Sequence, residues 1–233
     1  VLLSSSIKSP KGIKNTRNIK PFQNLLFPDA VPHHHGIELQ ELMFRKGCKI
    51  KMGLDYTAGC INFRDVGEYV NWLADKKILP VNKLFRGGKT DFVKDSNEIG
   101  SPKTIINLRQ GQDQVDFGVT YHHFPLANKV EKYHTEQQEV RKWLNSIVKL
   151  FEQEDLQYPV LIHCLSGKDR TGIAVAALLL IAGVRPEIIV QEYMISEGEV
   201  SEALIQIALK GMSQLHYFNR VDTEKVKRNL LKE

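Results

Sequence analysis

One stretch of the 233-residue chain concentrates groups able to do chemistry: His163-Cys164-Leu165-Ser166-Gly167-Lys168-Asp169-Arg170-Thr171-Gly172. A strand-like apolar run, Val160-Leu161-Ile162, leads into it, and a helix-like apolar run follows. A strand that ends in a tight loop and feeds a helix gathers backbone N–H groups and a positive dipole end at one point, which suits a phosphate. Gly167 lets the backbone turn closely, and Gly172 lets the helix begin against the sheet. Cys164 stands where the amides converge, so its thiolate is expected to be favoured. Arg170, six residues on, offers a planar fork for two phosphate oxygens.

These residue types in this order describe nucleophilic catalysis on a phosphate monoester. Cys164 attacks phosphorus, Arg170 and the loop amides stabilise the equatorial oxygens, and water hydrolyses the resulting phosphocysteine. The expected phosphate-binding set is His163, Leu165, Ser166, Gly167, Lys168, Thr171 and Gly172. Within it, Thr171 is expected to donate to the departing sulfur, and His163 to orient the loop with its ring turned away from substrate. The scheme needs no metal and no cofactor. A nucleotide-binding loop would require glycine at 162 and Ser or Thr at 169, where Ile and Asp stand. A buried structural cysteine is the bland alternative, and the company of His163, Gly167, Thr171 and Gly172 speaks against it.

The elements that must position this loop are legible in outline. Residues 83–85, 103–109, 119–124 and 159–163 read as strands. Residues 136–153 place Val140, Trp143, Leu144, Ile147, Val148 and Phe151 on one helical stripe, and residues 68–77 read as a short helix. Further helices are expected from Thr171, from Pro186 to Gly198, over 201–211 and over 222–232. Strands interleaved with helices imply an α/β fold with a central, mostly parallel sheet. The 13-residue apolar run from Gly172 to Val184 is too short to span a bilayer and reads as a buried helix.

The charge is unevenly placed. Residues 1–28 hold Lys8, Lys11, Lys14, Arg17 and Lys20 and no acid, leaving 27 basic and 27 acidic residues beyond them. Residues 1–45, with four prolines, read as a basic, irregular extension, and residues 46–233 as the catalytic domain. The extension either is solvated or touches an anionic membrane surface; no nucleic-acid partner is expected. Three cysteines do not make a disulfide scaffold, and Cys48 and Cys60 read as buried small hydrophobes, or as reversible partners of Cys164. Three adjacent histidines, His33 to His35, would seldom aim at one ion and are not read as a metal site. A chain beginning at Val1 is expected to be processed or trimmed; whether it is cytoplasmic or secreted is open.

The loop resembles that of the cysteine-dependent tyrosine-phosphatase superfamily. It is most similar to the bacterial and fungal branch with the loop H-C-x-x-G-K-D-R-T-G, which includes the mycobacterial phosphatase B and lipid phosphatases. "HCLSGKDRTG" matches at every specified position, and "INFRDVG" (61–67), "LFRGG" (84–88) and "INLRQ" (106–110) follow that branch's landmarks in order. The resemblance covers about residues 60–200 and implies a three-layer tyrosine-phosphatase fold acting on phosphotyrosyl protein, phosphoinositide or inositol polyphosphate. Many such enzymes keep a general-acid aspartate after the strand corresponding to 119–124, where this chain has Asn128. Asp169, inside the loop, is therefore the expected acid, with Asp113 and Asp116 in reserve; its rival role is an ion pair with Lys168 or Arg170. Lys168 either favours substrates with several phosphates or adds attraction for one. Arg64, Arg86 and Arg109 either face the pocket or pair with Asp65, Asp91 or Asp113. A phosphate-binding module without turnover would need a lost nucleophile or arginine, and the arginine offset argues against a rhodanese-like sulfur transferase.

Overall fold

The computed structural model of the protein describes residues 59–127 and 131–233. The basic extension, His33 to His35, Cys48 and Asn128 lie outside the described residues, as does the expected boundary near residue 45.

Strands β1 (Arg64–Asp65), β2 (Leu84–Gly87), β3 (Thr104–Asn107), β4 (Thr120–His123) and β5 (Val160–His163) form one sheet in the order β1-β2-β5-β3-β4. Only the β1–β2 pair is antiparallel. β5 is the central strand, so the loop leaving it emerges from the middle of the carboxyl edge, where parallel sheets bind ligands. Phe85, Leu161 and Ile105 lie abreast in register and join Cys60, Val93 and Ile99 in a small core on one face. Leu84, Val160, Ile162 and Ile106 belong to the main core on the other face, with the helices. Burial on both faces is why these strands read as unbroken apolar runs.

The helices are α1 (Val66–Ala74), α2 (Gln138–Leu150), α3 (Asp169–Ala182), α4 (Pro186–Met194), α5 (Glu202–Met212) and α6 (Thr223–Leu231). α2 buries the expected stripe from Val140 to Val148. α3 is buried continuously from Thr171 to Leu179 and packs against α2, α4, α5 and α6, as its all-round apolar sequence requires. No helix among the described residues is long and apolar enough to cross a membrane.

Two local features differ from expectation. α4 stops at Met194 rather than at Gly198, and residues 195–200 instead turn back beside the cysteine loop, where the Glu199 carbonyl accepts from Lys168. The turn at Ser96–Ile99 is a 3-10 helix closed by a reciprocal cap between Asp95 and Glu98, too short to leave a periodic signal.

Candidate active site

The carboxyl end of β2 supports both ends of the loop. The Cys164 amide donates to the Gly87 carbonyl at 3.4 Å, and Thr171 Oγ1 donates to the same oxygen at 3.5 Å. That carbonyl, rather than sulfur, is the hydrogen-bond acceptor of the Thr171 hydroxyl here. Gly167 has φ +67°, and a Cβ there would stand 2.5 Å from the Gly87 carbonyl carbon, so glycine alone fits. Among the described residues, no carbonyl or side chain takes the N–H groups of residues 165–168, which leaves them available to an anion.

Cys164 opens into a cavity of about 190 Å³, lined also by Leu126, Ala127, Lys132, Leu165, Ser166, Asp169 and Arg170. Arg170 Nη1 donates to the Leu108 carbonyl at 2.8 Å, which pins its guanidinium to the end of β3. Thus the three residues expected to act chemically, Cys164, Asp169 and Arg170, share one small cavity. A larger open groove of 1340 Å³ lies at the opposite end of the sheet, around Lys83, Tyr158 and Leu231, and its lining has no cysteine, serine or histidine.

The remaining expected residues fall into two groups. Leu165 and Ser166 line the cavity, and Gly172 lies against the Tyr193 ring, where a Cβ would come within 2.7 Å. His163 is fully buried with Nε2 2.8 Å from Asp113 Oδ2, and it does not line the cavity. Asp113 also receives Arg109 Nη1 at 3.2 Å and Asn107 Nδ2 at 3.3 Å, while Asp116 accepts the Gly118 amide at 2.8 Å. Neither reserve acid lines the cavity. Lys168 turns aside: its Nζ donates to the Glu199 carbonyl at 2.6 Å and stands 3.9 Å from Asp169 Oδ1. The second cation at the cavity is instead Lys132.

Beneath the loop lies an ionic cluster that the sequence did not reveal. Glu192 accepts Arg64 Nε at 2.8 Å on one carboxylate oxygen and Arg86 Nη1 at 2.5 Å on the other, with all three side chains essentially buried. Arg64 Nη2 also donates to Ser196 Oγ at 3.0 Å, and Arg86 Nη2 donates to the Gly167 carbonyl at 2.8 Å. Burial, together with Arg64, pushes Arg86 down to about 10, although Glu192 and Cys164 act in the other direction. Burial would raise the Glu192 carboxyl, but the two arginines outweigh it and hold the group below its usual range. The expected ion pair of Arg109 is present, with Asp91 at 2.6 Å as well as Asp113. Asp65 is not the partner of Arg64 or Arg86; it caps α1, accepting from Gly67 and Glu68.

Asn62 is a second missed support. Its backbone is left-handed (φ +61°), and its side chain donates to the Ser166 carbonyl at 2.7 Å while accepting the Glu197 amide at 2.7 Å. It therefore clips the loop to the turn after α4. The only signal of this was its place in "INFRDVG", beside an arginine that the landmark made conspicuous. Cys60 and Cys164 are both free thiols, in cores on opposite faces of the sheet.

The family model described as the tyrosine phosphatase family matches residues 56–231. The triple specificity protein phosphatase PtpB of Mycobacterium tuberculosis is 42% identical over 50 residues, which span 22% of this chain and 18% of that protein. Among solved structures, the catalytic domain of the PP-IP phosphatase SIW14 from S. cerevisiae aligns with TM-score 0.45 and 17% identity, covering 66% of this chain and 92% of that one. P. aeruginosa TpbA aligns with TM-score 0.40 and 16% identity, covering 64% and 86%. The family match takes in every strand and helix described above together with the cysteine loop, and the chain belongs to the tyrosine phosphatase family.

Proposed function

We propose that this chain, through residues 46–233, hydrolyses phosphate monoesters by way of a phosphocysteine on Cys164. The observation that carries the reading is that Cys164, Asp169 and Arg170 line one small cavity together with Leu165 and Ser166 of the same loop. The Cys164 thiolate attacks phosphorus as the ester P–O bond breaks, and the leaving oxygen takes a proton from Asp169. Arg170 and the amides hold the three equatorial oxygens throughout. Water then attacks phosphorus, returns a proton to Asp169, and breaks the P–S bond to release phosphate and thiolate. Asp113, in contact with His163, and Asp116, outside the cavity, are not in place to serve as the acid.

Phosphotyrosyl protein is the first substrate class. An inositol-based phosphate is the second reading, favoured by Lys132 beside Arg170, since a second cation suits a second phosphate. The deciding experiment is phosphate release in excess EDTA from a phosphotyrosyl peptide, phosphoinositide vesicles and inositol polyphosphates, with Cys164→Ser as the blank. Turnover of any member, absent in the blank, upholds the reading, and the preferred member assigns the substrate. Binding of these ligands without release by folded, reduced protein would make it a non-catalytic phosphate-binding module. The vesicle arm, repeated with residues 1–45 removed, tests whether the basic extension contributes to an anionic surface.

A further inference from the structure

A chain of hydroxyl groups that neither the loop motif nor the proposed chemistry uses ends on the in-loop aspartate. Tyr133 Oη donates to Asp169 Oδ1 at 2.5 Å, and the Tyr193 hydroxyl lies 2.7 Å from that of Tyr133. Each phenol has one proton. With the Tyr133 proton committed to Asp169, Tyr193 must donate to the Tyr133 oxygen. The chain therefore has one polarity, from Tyr193 on α4 through Tyr133 to the loop. Both tyrosines are buried, and their rings pack edge to face at 6.4 Å.

We infer that Tyr133, backed by Tyr193, is a positioning residue that reserves Asp169 Oδ1 as a permanent acceptor and leaves Oδ2 as the oxygen that carries the catalytic proton. The inference rests on the proposed role of Asp169 as general acid. Burial and the bond to Asp169 hold the Tyr133 phenol far above its ordinary range, so it remains a donor wherever the enzyme works. The other charged or titratable groups facing Asp169 are Lys168, at 3.9 Å on its own loop, and Cys164, Arg170 and Lys132 around the cavity. Among the described residues none of these groups hydrogen-bonds the carboxylate, so the phenol is the contact that fixes its rotation.

The test is kcat and KM for Tyr133→Phe, Tyr193→Phe and Asp169→Asn, each on p-nitrophenyl phosphate and on phenyl phosphate, whose leaving group is poorer. Tyr133→Phe keeps the ring packing and removes the hydroxyl that bonds Asp169 Oδ1. It should lose about tenfold more kcat on phenyl phosphate than on p-nitrophenyl phosphate, with KM little altered. Tyr193→Phe, which keeps the Tyr133–Asp169 bond, should change that leaving-group ratio by less, and it stands in if Tyr133→Phe does not fold. If Asp169→Asn keeps full kcat on phenyl phosphate, the general-acid reading fails and this inference fails with it. If Asp169→Asn is impaired while both tyrosine variants keep the wild-type leaving-group ratio, the inference alone is overturned.

Discussion

The guanidinium of Arg86 bonds the Gly167 carbonyl at 2.8 Å through Nη2 and the Glu192 carboxylate at 2.5 Å through Nη1. A residue of the central sheet thus holds the apex of the catalytic loop, and a residue of α4 holds that arginine. The carboxylate offsets one of two buried positive charges, leaving Arg64 and Arg86 with a net cation beneath a loop built for an anion.

Removing the carboxylate should be costly. Glu192→Gln is expected to destabilise the fold by about 3–5 kcal/mol, because it strands two desolvated guanidinium groups. Urea denaturation of the two proteins at neutral pH measures the difference. A change within about 0.5 kcal/mol, ordinary for a surface substitution, would refute this view of the cluster.

The same carboxylate sets a pH signature. The two arginines hold it below its usual range, so its contribution is complete above about pH 4.3, the unfolded glutamate value. That contribution is lost as the pH falls through the lower, folded value. Wild-type stability should consequently fall more steeply than that of Glu192→Gln between about pH 4 and pH 2, and the gap between their unfolding midpoints should narrow.

Gly167→Ala should disable turnover while sparing most of the fold. The new Cβ would require a left-handed residue and a 2.5 Å approach to the Gly87 backbone, so the loop must move and its amides with it. We expect kcat/KM to fall by about a hundredfold or more, the scale of losing an oxyanion donor, with an unchanged far-ultraviolet circular dichroism spectrum.

Arg170→Lys retains the charge but not the planar fork that Leu108 orients. The expected loss in kcat/KM is again about 10²–10³-fold, and added salt should not restore it. Near-normal turnover would show that position 170 supplies charge alone.

Thiol labelling should separate the two described cysteines. Burial pushes the Cys60 thiol up to about 12, and its Sγ lies 3.5 Å from the Gly88 carbonyl. Native protein treated with iodoacetamide at pH 7 should leave the Cys60 peptide unmodified by mass spectrometry until denaturant is added. Cys164, which lines the cavity, should be alkylated first, and phosphate or vanadate should protect it.

What the sequence alone determined is local. The run from Val160 to Gly172 specifies a strand, a tight turn and a helix start, because apolar period, glycine placement and the six-residue step from Cys164 to Arg170 act within one short backbone segment. The α2 stripe and the parallel sheet were legible for the same reason. Partners distant in the chain were not: Arg64 and Glu192 lie 128 positions apart, Asn62 and Ser166 104, and Tyr133 and Asp169 36. No periodicity links such pairs; they meet because β5 inserts between β2 and β3, and because α4 ends early and turns back under the loop. The fate of Lys168 shows the limit well. Its place in the motif suggested the cavity, but the turn after α4 offers it the Glu199 carbonyl, and a flexible ammonium follows the acceptor that the tertiary structure supplies.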